Sequence, residues 1–156
     1  MNKREQAQRA RQMLDRRLEQ LRPVSEFTPP ASGWIRAIRD ALGMTVADLG
    51  RRMGVSGSTV SEIEANERDG GVRLSTLRRT ADAMDCVLVY ALVPKESLEH
   101  IVTQRAERVL RGVHRQAEQT MRLEDQESVP SQLSRKRQLE EIILSRHLWS
   151  DERTEG

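Results

Sequence analysis

Apolar residues recur at spacings of three and four in seven blocks along this chain, and in one place they run together. Over residues 3 to 21, Ala7, Ala10, Leu14, Leu18 and Leu21 share one helical face with arginines around the rest, so the stripe needs a partner. "RPVSEFTPPAS", Arg22 to Ser32, has three prolines among small polar residues and reads as an extended linker. From Trp34 to Met84 the pattern predicts four short helices. Ile35, Ile38 and Leu42 line the first, and Gly43 stops it where a left-handed cap is cheapest. The second opens with a capping-box-like pair, Thr45 and Asp48, and turns Leu49 and Met53 inward. Ser56 caps the third, with Val60 and Ile63 inside, and Ser75 caps the fourth, with Leu77, Ala81 and Met84 inside.

The uninterrupted run is "CVLVYALV", residues 86–93, valine-rich and uncharged, and it predicts a strand. A lone strand leaves a row of backbone donors and acceptors, each costing roughly 1 to 3 kcal/mol if buried unpaired. Pairing with a second copy satisfies them, so the expectation is a homodimer joined through Val87, Leu88, Val89, Tyr90, Ala91 and Leu92. A buried terminal turn of helix is the other reading of the same residues. Beyond Pro94 a long helix is predicted over 95–125, with Leu98, Val102, Ala106, Val109, Val113, Ala117 and Met121 as its stripe. Within it Gly112 costs about 1 kcal/mol relative to alanine. Pro130 breaks the pattern, a last helix over 131–149 offers Leu139, Ile142, Ile143, Leu148 and Trp149, and "SDERTEG" should fray.

The expected organisation is mostly α: an amphipathic arm (1–22), a linker (23–31), a four-helix domain (32–85), the strand (86–93) and two C-terminal helices. Composition agrees, since 37% hydrophobic, 3% aromatic and 32% charged residues favour a small helical core with solvated arms. The net charge of +2 is unevenly distributed. Residues 1 to 22 hold seven Lys/Arg against three Asp/Glu, residues 29 to 93 eight against eight, and residues 94 to 156 eleven against twelve. A neutral middle can still bind a polyanion if its arginines share a face. The single cysteine, Cys86, excludes a disulfide within the chain and reads as a small, partly buried hydrophobe. No apolar run reaches the roughly 18 residues of a membrane span, and "MNKREQAQRA" is no secretory signal, so the expected setting is soluble, cytoplasmic and nucleoid-associated, without a membrane partner.

Catalytic and metal chemistry find little footing. His100, His114 and His147 lack partners in metal-ligand registers, no phosphate loop, nucleophile elbow or dinucleotide fingerprint occurs, and Glu140 with Glu141 sits in a charge-mixed helical face. The expectation is therefore no enzyme, no metal and no cofactor. "GVSGSTVSEIEANE", residues 54 to 67, instead reads as the turn and second helix of a helix-turn-helix. Gly50 supplies the small residue needed where the two helices cross, and Thr45 and Ser56 supply capped N-termini near phosphates.

"LGMTVADLGRRMGVSGSTVSEIEAN" resembles the helix-turn-helix of the xenobiotic-response-element and lambda-repressor/Cro family over residues 32 to about 85. More widely, "GWIRAIRDALGMT", "VSEIEANE", "VLVYALVPKESLE" and "TMRLEDQ" look like the mobile mystery protein A family, whose members are regulators encoded beside a Fic-domain protein. The resemblance implies double-stranded DNA binding and a possible Fic-domain partner, restrained as a toxin is by an antitoxin. By position it places base reading on Gly57, Ser58, Ser61 and Glu62, with Glu62 accepting a hydrogen bond from a cytosine amino group. Two glutamines common in the family are absent, Gly57 and Val46 standing in their slots. Gly57 then reads no base but admits a close backbone approach to the groove. Sugar-phosphate or minor-groove contacts fall to Thr45, Arg51, Arg52, Ser56, Thr59, Arg68 and Arg73, of which Arg73 is the foremost. Glu64 should tie the third helix to an arginine or to backbone, and Glu67 should be solvated.

Overall fold

The computed structural model describes residues 2–121, 131–145 and 147–150. Among them it is all-helical: α1 (Lys3–Glu19), a 3-10 turn (Val24–Phe27), α2 (Trp34–Ala41), α3 (Val46–Met53), α4 (Gly57–Arg68), α5 (Leu74–Ala83), α6 (Leu98–Met121) and α7 (Gln132–Leu144). The chain divides into two compact units, Arg22–Leu92 and a second built from Met1–Leu21 with Val93–Gly156.

In the Arg22–Leu92 unit, α2 to α5 close around Ile35, Leu49, Val60, Ile63 and Met84. Ile38, Val46, Met53, Val55, Val72, Leu77, Ala83 and Cys86 pack against that core, Cys86 half-buried as expected. Local chemistry sets the helix ends. Thr45 and Asp48 form the reciprocal capping box of α3, and Ser56 accepts the Thr59 amide at the start of α4. Gly43 and Gly54 hold positive φ (68° and 72°), which lets α2 and α3 stop abruptly.

Three local expectations need correction. Leu42 is the C-cap of α2 and turns outward, 51% exposed, because the helix ends at Ala41. The first hydrogen bond of α5 runs from Leu77 N–H to Arg73 C=O, so Arg73 is its N-cap and Ser75 is already helical. The linker is not wholly extended: residues 24–27 coil into a 3-10 turn, and Thr28 Oγ1 donates to Ser25 C=O behind it.

The strand expected over residues 86–93 does not form. The amide of Cys86 still bonds to Ala81 C=O, but the backbone from Val87 to Leu92 makes no hydrogen bond among the described residues. A strand exists only as a ladder, and among the described residues of a single copy no other segment offers an edge to pair with. The side chains remain outside as well: Val87, Val89, Tyr90 and Leu92 are 86%, 79%, 66% and 90% exposed. The alternative of a buried helical turn fails on the same facts.

In the other unit, α1 lies along the start of α6. The Asp15 carboxylate caps α6 by accepting the amides of Leu98 (2.7 Å) and Glu99 (3.2 Å), and Arg11 pairs with Glu99 at 2.8 Å. These contacts, with half-buried Leu18 and Leu21, partner the C-terminal end of the stripe, whereas Ala7, Ala10 and Leu14 are exposed. The long helix begins at Leu98, where Ser97 Oγ also accepts the His100 amide; residues 122–125 lie outside the described residues. Val102 and Ala106 of α6 and Leu148 form a second core, flanked by Leu139, Ile142 and Ile143 of α7. Leu110 and Arg105 are buried too, and Arg105 Nε donates to Leu148 C=O at 2.7 Å. Val113 and Ala117, expected inside, are exposed. The last helix stops at Leu144, short of the predicted 149, and a turn at 147–150 carries Leu148 inward and leaves Trp149 out.

Candidate nucleic-acid interface

Between α3 and α4 the chain turns in three residues, Gly54, Val55 and Ser56. The turn is tight because Gly50 has no side chain. A Cβ there would stand 2.6 Å from Val55 O, and the Val55 amide closes the turn on Gly50 C=O at 2.8 Å. Gly57 is the other close approach. A Cβ at this position would meet Val46 Cγ2 at 3.3 Å and Ala47 N at 3.4 Å. The first turn of α3 therefore packs against the Gly57 backbone.

The polar face of α4 is Ser58, Ser61 and Glu62, all exposed. The hydroxyls are already organised. Ser56 Oγ lies 3.0 Å from Ser58 Oγ and 2.9 Å from Thr59 Oγ1, forming a cluster over the N-terminus of α4, and Ser61 Oγ donates to Gly57 C=O at 3.2 Å. The amides opening a helix carry partial positive charge, so hydroxyls and dipole together offer donors to an anion. Glu62 has no ion-pair or hydrogen-bond partner among the described residues.

The remaining candidates separate by what already holds them. Thr45 Oγ1 donates to Asp48 Oδ2 at 2.6 Å while accepting the Asp48 amide, so its hydroxyl proton is committed. Asp48 also takes a hydrogen bond from Arg51, and the Thr45 hydroxyl, followed by its backbone amide, holds the Asp48 carboxyl below the usual carboxylate range. Arg52 donates Nε to Ala83 C=O and pairs with Asp85 at 3.0 Å, so it fastens α3 to the end of α5. Arg68 and Arg73 are exposed and have no ion-pair partner among the described residues. Arg78 and Arg79 of α5 are exposed as well; sequence reasoning passed over them because they interrupt no pattern.

Behind this face two acids position α4. Arg39 and Glu64 form a buried pair, Nε to Oε1 at 2.6 Å and Nη2 to Oε2 at 3.3 Å, with Arg39 Nη1 also donating to Met44 C=O. The hydrogen bond to Glu64 raises the Arg39 pKa above its already high ordinary value. Glu64 thus holds an arginine, as expected. Glu67 is not solvated: its carboxylate caps α2, accepting the amides of Trp34 (2.9 Å) and Ile35 (3.0 Å) beneath Gly33. The residue lies 33 positions after the amide it caps, a distance no local pattern reveals.

Two short helices at a three-residue glycine turn, with the second presenting a polar face, is the geometry of one known architecture. A helix-turn-helix family model matches residues 35–87. That region is a helix-turn-helix domain. The helix-turn-helix match runs from α2 to just past α5 and leaves α1, α6 and α7 outside it. No curated protein and no solved structure matches the chain significantly. Among the described residues no helix is long and apolar enough to cross a membrane, and no group of histidine, cysteine and acidic side chains is arranged to hold a metal ion. His100 Nε2 lies 3.0 Å from Glu96 Oε2, without hydrogen-bond geometry.

Proposed function

We propose that this chain is a sequence-specific double-stranded DNA-binding transcriptional regulator that acts as a homodimer on an inverted repeat and represses its own gene. The helix-turn-helix domain carries the reading, with the exposed Ser58, Ser61 and Glu62 along its second helix. In this reading α4 enters the major groove, the two serines and Glu62 meet base edges, and the hydroxyl cluster at Ser56 and Thr59 with Arg68 and Arg73 meets the backbone. The apolar, unpaired stretch Val87–Leu92 supports self-association, which sets two copies of α4 about 34 Å apart, one turn of DNA. Fluorescence anisotropy on DNA upstream of the coding sequence, against scrambled DNA at several salt concentrations, tests it. Selective binding that Ser58→Ala with Arg73→Ala abolishes is expected, and equal, weak binding to both duplexes overturns it. Light scattering should show a dimer for the native chain and a monomer for Leu88→Asp with Val89→Lys; a persistent dimer removes the strand pairing.

A second reading, restraint of a Fic-domain protein, is supported by the apolar residues that α6, α7 and the final turn leave outside, namely Val113, Leu133, Leu144 and Trp149. Deleting residues 131 to 156 should then release the partner while DNA binding persists.

A further inference from the structure

We infer that the outward face of α1 is a second phosphate-binding surface for nucleic acid, formed by Arg9, Arg16 and Arg17. The inference rests on the DNA-binding reading and adds a site outside the helix-turn-helix domain. The apolar stripe of α1 and its arginines call for different partners. The structure separates the two demands in part: Asp15, Arg11 and half-buried Leu18 are engaged with α6, while Ala7, Ala10 and Leu14 of the stripe stay exposed. Arg9, Arg16 and Arg17 are exposed and have no ion-pair or hydrogen-bond partner among the described residues.

The acids of α1 do little to neutralise them. Glu5 accepts the Asn2 amide in its own capping box, and Asp15 is turned to the amides of α6, which leaves only Glu19 without a partner. Arg9 and Arg16 are one heptad apart, so they stand within about 20° of one line along the helix. At 1.5 Å per residue they are roughly 10 Å apart. On a duplex carrying a charge about every 1.7 Å of its axis, such a pair engages separate phosphates. A lipid surface suits the face less well. An interfacial helix buries a broad apolar side, and here the exposed large apolar residues of α1 are just Met13 and Leu14.

The experiment measures the salt dependence of DNA binding by the full-length chain, using the duplex it selects best from a random library. Each lost phosphate contact lowers the slope of log K against log salt by about 0.9, so Arg9→Gln, Arg16→Gln, Arg17→Gln should flatten it by about two to three while keeping the sequence preference. Conversely, Gln12→Arg with Gln20→Arg, which add charge to the same exposed face, should steepen it. Slopes unchanged in both variants overturn the inference and leave the helix-turn-helix reading intact, whereas slopes that move without any sequence preference overturn that reading and leave the surface. No binding by the native chain overturns both. An unchanged slope with lost binding to phosphatidylserine vesicles overturns the inference in favour of a membrane.

Discussion

Arg39 Nε lies 2.6 Å from Glu64 Oε1, joining α2 to α4, and both side chains are nearly closed to solvent. Removing one partner strands the other charge in the interior, which costs about 3 to 5 kcal/mol. Glu64→Ala should therefore destabilise the Arg22–Leu92 unit by that amount, and Arg39→Met combined with Glu64→Leu should recover most of it. Urea unfolding in a Trp149→Phe background, where Trp34 is the only tryptophan, reads this unit alone. A Glu64→Ala loss under about 1 kcal/mol would show that the pair contributes no more than a surface bridge.

Glu67→Ala strips α2 of the acceptor for its Trp34 and Ile35 amides, with an expected cost of about 1 to 2 kcal/mol. Amide hydrogen exchange at these two residues should accelerate well beyond that of the rest of α2. Equal protection in variant and native chain would mean that the amides have another acceptor.

These two acids show what the sequence could and could not disclose. Thr45 with Asp48, Ser56 with Thr59, and the stops at Gly43 and Gly54 are settled among near neighbours, so the four short helices and the turn were legible from spacing alone. Glu67 caps an amide across the domain and Arg52 grips Ala83 and Asp85 across it, so each looked like an ordinary surface charge. The inner face of α6 was misjudged for a related reason. Arg105 is buried because its guanidinium meets the Leu148 carbonyl, and no apolar pattern predicts a buried arginine. At residues 86–93 valine content favoured a strand, but a ladder needs a second edge, which no other described segment of a single copy supplies.

Gly50 and Gly57 should respond differently to alanine. At Gly50 the new methyl group would stand 2.6 Å from a backbone oxygen, so the turn itself must move, and overpacking of that kind costs about 1 to 3 kcal/mol. At Gly57 the nearest atom, at 3.3 Å, ends a valine side chain, and alanine brings up to about 1 kcal/mol of helix propensity in return. Gly57→Ala should be near neutral in urea unfolding and Gly50→Ala destabilising. The reverse order would place the helix crossing elsewhere.

Asp15→Ala removes the cap of α6, worth about 1 kcal/mol, and with it one of the two polar ties described between the helices. Limited trypsin digestion should then cut faster after Arg16 and Arg17. Unchanged digestion would mean that Leu18, Leu21 and the Arg11–Glu99 pair hold α1 without help.

The Thr45–Asp48 box carries its own acid dependence. Asp48 has a folded pKa below its ordinary 3.8, because the Thr45 hydroxyl and then its amide donate to the ionised carboxylate. For a carboxylate depressed on folding, protonation favours the unfolded chain. The contribution is complete above 3.8 and is lost as pH falls through the lower, folded value. Carbon NMR of the Asp48 carboxyl should show a midpoint below 3.8, and Thr45→Val, which deletes the hydroxyl but keeps the amide, should move it up toward 3.8 without restoring it fully. A midpoint that ignores the substitution would show that Arg51, and not Thr45, holds the charge.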